Sequence, residues 1–186
     1  SSKAMAAQTI DAFGRIDILV NNAALFGHLD AKPFEEISVD EWDALMAVNV
    51  RGVFVAIKSV TGQMRKQQYG KIINIASGTL FKGTPMLLHY VTSKGAVLAM
   101  TRCISREVGD DNICVNTLAP GLVMSENVLA RDTFSDAGVD ANTETRALKR
   151  RQMPEDLTGA MIFLASADSD FMTGQCVVVD GGSVNN

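Results

Sequence analysis

Tyr90 and Lys94 stand four residues apart in LLHYVTSKGAV (87–97), at the head of an apolar run. Residues at i and i+4 share a helix face, with Cβ atoms ~5–6 Å apart. A phenol beside an ammonium outlines a proton-transfer device. A free phenol titrates near ~10, and a neighbouring cation favours the phenolate and lowers that value. Reaching ~7 would take about 4 kcal/mol, more than one partly solvated lysine supplies, so a second positive charge would have to help. A YxxxK pair alone carries little weight, and its setting has to decide. Ser77 precedes the pair at the end of an aliphatic run, across a loop containing Gly78, Gly83 and Pro85. Asn49 interrupts an apolar helical stripe in AVNVRG. A buried amide needs partners, so Asn49 either braces a local kink or holds a water.

These residues need a scaffold. Four runs are nearly continuous in β-branched and aliphatic residues: RIDILVNNA (15–23), KIINIAS (71–77), NICVNTLAPG (112–121) and QCVVVDGG (175–182). Continuous apolar runs predict strands of a parallel sheet covered on both faces. Between them lie helical patterns. Ser38 and Glu41 form a capping-box signature. Trp42, Leu45, Met46, Val50, Val53, Phe54, Ile57 and Met64 then recur at helical spacing as one wide apolar face. A second helix is predicted from near Tyr90 to Gly109, and a third from Pro154, with Glu155 and Asp156 in its first turn. Alternating strands and helices predict an α/β, doubly wound parallel sheet. Residues 121–153 are polar and weakly periodic and read as a long loop or lid with a short helix.

Ligands of such sheets bind beyond the carboxyl ends of the strands. The first three runs end in Asn21-Asn22-Ala23-Ala24, Ser77-Gly78 and Pro120-Gly121, so three strand ends turn small or polar at one rim. Each ending alone is ordinary turn chemistry. Together they outline the floor of a site.

Composition narrows the class. The chain has 186 residues and a net charge of −4, with 47% hydrophobic and 20% charged residues, which suits one domain spanning 1–186 and no nucleic-acid surface. No uninterrupted apolar run approaches the ~20 residues that cross a bilayer. The first ten residues, SSKAMAAQTI, contain no apolar signal core. Cys103, Cys114 and Cys176 form no CxxC pair, and His28 and His89 have no ligand spacing. The expectation is a metal-free cytoplasmic protein.

GRIDILVNNAA, NVRG, GKIINIAS, YVTSK, VNTLAPG and TGQCVVVDGG follow one another in the order and spacing of the short-chain dehydrogenase/reductases, and the resemblance covers essentially the whole chain. It implies a Rossmann-like fold and an NAD- or NADP-dependent oxidoreductase that interconverts a secondary alcohol and a ketone. By this resemblance Tyr90 is the acid/base and Ser77 bonds the substrate oxygen. Lys94 binds the nicotinamide ribose and lowers the tyrosine pKa, while Asn49 positions a relay water. Asn21 and Ala23 match the NNAG-like cofactor segment, whose last glycine is Ala24 here. Pro120, Gly121, Val123 and Ser125 match the segment beside the carboxamide, with Ser125 where many relatives have threonine.

A pocket beyond the rim would be shaped by Phe26, Leu80, Phe81, Met86, Leu87, His89 and Met124. Of these, Leu80, Met86 and Met124 are the substrate candidates, although packing explains any one of them as well. Their apolar character suggests an aromatic or otherwise apolar alcohol or ketone. The resemblance also implies a homodimer or homotetramer built on the helix from Ser38, the helix carrying Tyr90 and the last strand. Val53, Phe54, Ile57, Val97 and Ile104 suit either that interface or the chain's own sheet.

The family's opening strand, its GxxxGxG turn and two further strands have no counterpart here. The expectation is the C-terminal two-thirds of the family's domain, lacking three strands, with an apolar open flank. The competing readings are an inactive fragment and a non-catalytic binding protein on the same fold. A nucleotide-free dehalogenating branch carries arginine in place of the lysine, and Lys94 argues against it.

Overall fold

The computed structural model describes residues 1–27, 29–129 and 136–184. In chain order it contains α1 (Ser2–Phe13), β1 (Ile18–Asn21), α2 (Val39–Met46), α3 (Val53–Gln67), β2 (Gly70–Ile75), α4 (Thr79–Lys82) and α5 (Leu88–Glu107). β3 (Ile113–Pro120), α6 (Glu126–Leu129), α7 (Asp136–Glu144), α8 (Thr158–Ala165) and β4 (Cys176–Val179) complete it. All four aliphatic runs pair in parallel, in the order β1-β2-β3-β4.

Alternating strand residues serve two cores, as the period of 2 requires. Ile72 and Val115 join Leu19, Val53, Ile57, Met64 and Val97 beneath α1, α3 and α5. Ile73 and Leu118 pack with Leu164 of α8 on the other face. β2 and β3 are buried almost throughout. The outer strands correct the expectation of full cover: with Leu19 turned into the first core, Ile18 and Val20 face the other way and remain 46% and 40% exposed.

The apolar stripe after Ser38 is also two-sided. Val53, Ile57 and Val97 lie in the sheet-facing core and Ile104 packs against it, so these four do not form an outer face. Phe54 does, and with Met46, Val50 and Met100 it lines a shallow groove of about 830 Å³. Val39–Gln67 is long and apolar enough to cross a membrane by length and composition, although no single run suggested it, and 28% of its most apolar window is buried.

Among its described residues, segment 121–153 carries α6 and α7, where one short helix was expected. Met124, Val128 and Val139 form a small core there with Phe26 and Leu122 packed against it. Residues 130–135 of the expected lid, and His28, lie outside the described residues.

Candidate active site

Register brings the polar strand residues into line. Asn21 pairs with Asn74, and Asn74 with Thr117, so one lateral row of the sheet is polar from β1 to β3. Asn21 Nδ2 donates to Asn74 Oδ1 (2.8 Å), Asn74 Nδ2 to Thr101 Oγ1 (2.8 Å), and the Thr117 and Thr101 hydroxyls meet at 2.8 Å. Thr101 returns its own proton to Val97 O (3.0 Å). This buried chain fixes the strand ends against α5. It also engages the Asn21 side chain within the sheet through Nδ2.

Above this row lie the three residues singled out first. Ser77, Tyr90 and Lys94 are all buried. Ser77 Oγ accepts from the backbone N–H (3.3 Å) and hydroxyl (3.0 Å) of Thr79, leaving its own proton to donate. Lys94 Nζ lies 5.7 Å from the Tyr90 ring centroid and donates to Ile75 O at 2.7 Å. An ammonium has three donors, which leaves capacity for a second acceptor beside the tyrosine.

Burial dominates the electrostatics of the pair. Burial pushes the Tyr90 phenol up to about 12, against a side-chain hydrogen bond with Ser77 that pulls it down. Burial pushes Lys94 down to about 8. Desolvation disfavours whichever form is charged, and it is the leading cause for both groups. Tyr90 is therefore a protonated donor at neutral pH, as a free tyrosine is, and burial adds roughly 3 kcal/mol to the cost of ionising it.

Asn49 sits in a π-helical turn, Ala47–Gly52, between α2 and α3. Such turns recur at functional sites. Its Oδ1 accepts from Leu25 N–H (2.7 Å), and its Nδ2 donates to Leu25 O (3.1 Å) and Ser93 Oγ (3.2 Å). The side chain thus braces the backbone at Leu25 against α5.

Pro120 and Gly121 follow Ser77-Gly78 across the rim: Gly78 N–H donates to Pro120 O (2.8 Å) and Gly121 N–H to Val179 O (3.1 Å). A Cβ on Gly121 would come within 2.8 Å of Gln152 Oε1 and 3.0 Å of Asp180 Cβ, so this approach needs glycine. Val123 bridges Gln152, and Ser125 N–H returns to Val123 O. Ala23 is exposed at the rim. Leu80 and Phe81 are half-buried and Leu87 caps α5. Met86 is exposed with φ +66°, whereas Met124 belongs to the small core of the 121–153 segment. Phe26 reaches the site directly, its ring centroid 4.8 Å from that of Tyr90.

Sequence reasoning missed several neighbours. Glu41 completes only half of its capping box: Ser38 Oγ accepts from Glu41 N–H, but the carboxylate turns to Lys32. Buried Arg146, Gln152 and Asp180 gather under Gly121, and Arg146 Nε, Gln152 Oε1 and Asp180 Oδ2 have no hydrogen-bond partner. The Asn74–Thr117 row was visible in principle, as polar residues inside otherwise aliphatic runs. The lid cluster was not, because its members are far apart in sequence.

A family profile described as enoyl-(acyl carrier protein) reductase matches residues 1–184. The short-chain dehydrogenase/reductase eriH of Hericium erinaceus is 36% identical over 180 residues, covering 96% of this chain and 69% of the relative. The (2S)-[(R)-hydroxy(phenyl)methyl]succinyl-CoA dehydrogenase subunit BbsD of Thauera aromatica is 38% identical over 181 residues, covering 96% and 69%. Among solved structures, a gluconate 5-dehydrogenase from Burkholderia cenocepacia J2315, in complex with NADP and tartrate, superposes with a TM-score of 0.89 at 35% identity, covering 98% of this chain and 70% of that one. With its parallel sheet, its Ser77–Tyr90–Lys94 cluster and these matches, the chain belongs to the short-chain dehydrogenase/reductase family of oxidoreductases.

Proposed function

We propose that the protein exchanges hydride between a nicotinamide cofactor and the carbinol carbon of an apolar, preferably aryl-substituted, secondary alcohol, with Tyr90 as the proton donor and acceptor. The observation that carries this reading is the convergence of Ser77, Tyr90 and Lys94, all buried, at the carboxyl end of β2. NAD or NADP, when bound, supplies the hydride and its acceptor. The residues at the rim fit the nicotinamide end of such a group. Lys94 has donor capacity for a ribose hydroxyl, and the Pro120–Ser125 backbone runs beside Ser77-Gly78. Ala23 and the exposed β1 terminus border the same rim.

In the reducing direction Ser77 donates to the carbonyl oxygen and Tyr90 delivers the proton that completes the alcohol. The high proton affinity of the buried phenol keeps it loaded for that task. In oxidation the flow reverses, and the phenol must first lose its proton. Lys94 favours that loss, and an oxidised nicotinamide, when bound, would add to it in the same sense.

The apolar roof of Phe26, Leu122, Met124, Val128 and Val139 supports the substrate class. The Thauera relative is named for a phenyl carbinol, in line with it. The gluconate dehydrogenase stands for the rival, a polyhydroxy acid. Following NADH and NADPH oxidation with aryl ketones and with keto sugar acids separates the two: the expected outcome is kcat/KM at least tenfold higher for the aryl ketones, and the reverse order rejects the apolar reading. The outward face of Phe54, Met46, Val50 and Met100 supports a homo-oligomer in solution, which a molar mass from light scattering checks.

A further inference from the structure

Beneath the crossing of Ser77-Gly78 and Pro120-Gly121 lie three polar side chains that no step of the proposed reaction uses. Arg146, Gln152 and Asp180 are 3%, 5% and 4% exposed. They come from separate parts of the chain: Arg146 follows α7, Gln152 precedes α8 and Asp180 follows β4.

Most of their polar atoms are committed. Arg146 Nη1 donates to Arg150 O (2.8 Å), and Nη2 to Leu122 O (2.8 Å) and Asn142 Oδ1 (3.0 Å). Gln152 Nε2 donates to Val179 O (2.7 Å), which fixes the orientation of the amide. Asp180 Oδ1 accepts from the N–H groups of Gly182 (3.0 Å) and Ser183 (3.1 Å). One atom on each residue remains: Arg146 Nε, Gln152 Oε1 and Asp180 Oδ2 have no hydrogen-bond partner.

These atoms belong to one small region. A Cβ on Gly121 would lie 2.8 Å from Gln152 Oε1 and 3.0 Å from Asp180 Cβ, and one on Gly78 would lie 3.6 Å from Asp180 Oδ2. Arg146 reaches the same turn, its Cδ 3.3 Å from where a Cβ on Gly181 would stand. Burial pushes the proton affinity of Arg146 down, and the Asp180 charge pulls it up. The two therefore attract each other, although no hydrogen bond joins Nε to Oδ2.

Buried polar groups in folded chains are paired with protein or with ordered water. The remaining set is one donor and two acceptors. A water molecule complements it, accepting from Arg146 Nε–H and donating to Gln152 Oε1 and Asp180 Oδ2. A cation would face the guanidinium and an anion would face two oxygen acceptors, so neither matches.

We propose that Arg146, Gln152 and Asp180 bind one buried water molecule beneath Gly121. It joins the 146–152 turn to the turn after β4. Arg146 holds Leu122 O, and Gln152 O accepts from Met124 N–H (2.8 Å), so the same site underpins the 121–125 segment.

A crystal structure of the wild-type chain, at a resolution that shows ordered water, tests this directly. The expected result is a single water within ~2.7–3.2 Å of all three atoms. Direct bonding among the three side chains, a water reaching fewer than all three, or an ion in its place overturns the proposal. Oxygen-17 magnetic relaxation dispersion, which counts waters held inside a protein in solution, gives the second measurement. In Gln152→Met/Asp180→Leu only Arg146 Nε remains of the three, too few partners to hold a buried water. The dispersion amplitude should fall by the contribution of one molecule, and an unchanged amplitude overturns the proposal. Should that variant fail to fold by circular dichroism, the wild-type structure decides alone. Neither measurement uses cofactor or substrate, so a failure here leaves the reading of Tyr90 untouched.

Discussion

The floor and the roof of the site are built on different principles. The floor is strand ends and α5, locked by a row of hydrogen bonds from Asn21 through Asn74 and Thr101 to Thr117. Each member of that row lies on a regular element and finds a buried partner. The roof is loop and short helix: Phe26, Leu122, Met124, Val128 and Val139 touch through apolar contact, and three buried polar atoms at its base lack partners. The difference teaches where precision is needed. On the proposed function, the proton-transfer groups would need the rigid elements of the floor, and a roof that admits substrate would rest on looser contacts.

If the contrast is right, the largest loss follows from the floor's chemistry. Tyr90→Phe should lower kcat by about 10³-fold, within the range for a general acid, with an unchanged circular dichroism spectrum and urea midpoint. Lys94→Met should separate catalysis from stability. With its folded value near 8 and its free value at 10.5, wild-type Lys94 binds its proton more weakly when folded. Stability should therefore rise as pH increases between those values, by up to about 3 kcal/mol. Tyr90 acts in the opposite sense, its folded value being raised from 10.0 to about 12. Its contribution is complete below 10.0 and is lost as pH climbs through about 12. Urea midpoints against pH should climb and then fall in wild type, and the climb should vanish in Lys94→Met.

Thr101→Val removes the acceptor shared by Asn74 and Thr117 and strands Asn74 Nδ2 in the core. A loss of about 2 kcal/mol by urea unfolding is expected. The smallest effect belongs to the roof. Phe26→Ala should raise KM for aryl ketones several-fold, by about 1 kcal/mol, while kcat and the unfolding midpoint move little. A Phe26→Ala chain destabilised as much as Thr101→Val would erase the distinction between roof and floor.

The sequence carried the floor further than the roof. Continuous aliphatic runs announced the four described strands, and polar endings on three of them marked the rim, because an apolar strand and the turn at its end each leave a local signature. Tyr90 and Lys94 were legible from helix spacing, and their joint setting with Ser77 from motif order. The balance of their proton affinities was not, since it depends on how completely α5 and its neighbours exclude water. The contact of the Asn49 amide with Leu25, 24 residues away, left no trace in the sequence. Glu41 was read as a cap from its distance to Ser38, and only packing brought Lys32 and His89 within reach of its carboxylate. Contacts between residues distant in sequence decide these cases, and no periodicity records them.

The central claim is that a buried phenol protonates a carbonyl oxygen while hydride arrives at its carbon. Transfer of deuterium from C4-deuterated NADH or NADPH to an aryl ketone, followed by mass spectrometry, tests it most directly. Wild type should yield an alcohol labelled at the carbinol carbon, and Tyr90→Phe should yield almost none. Equal labelling by both chains, or an unlabelled alcohol from wild type, would contradict it.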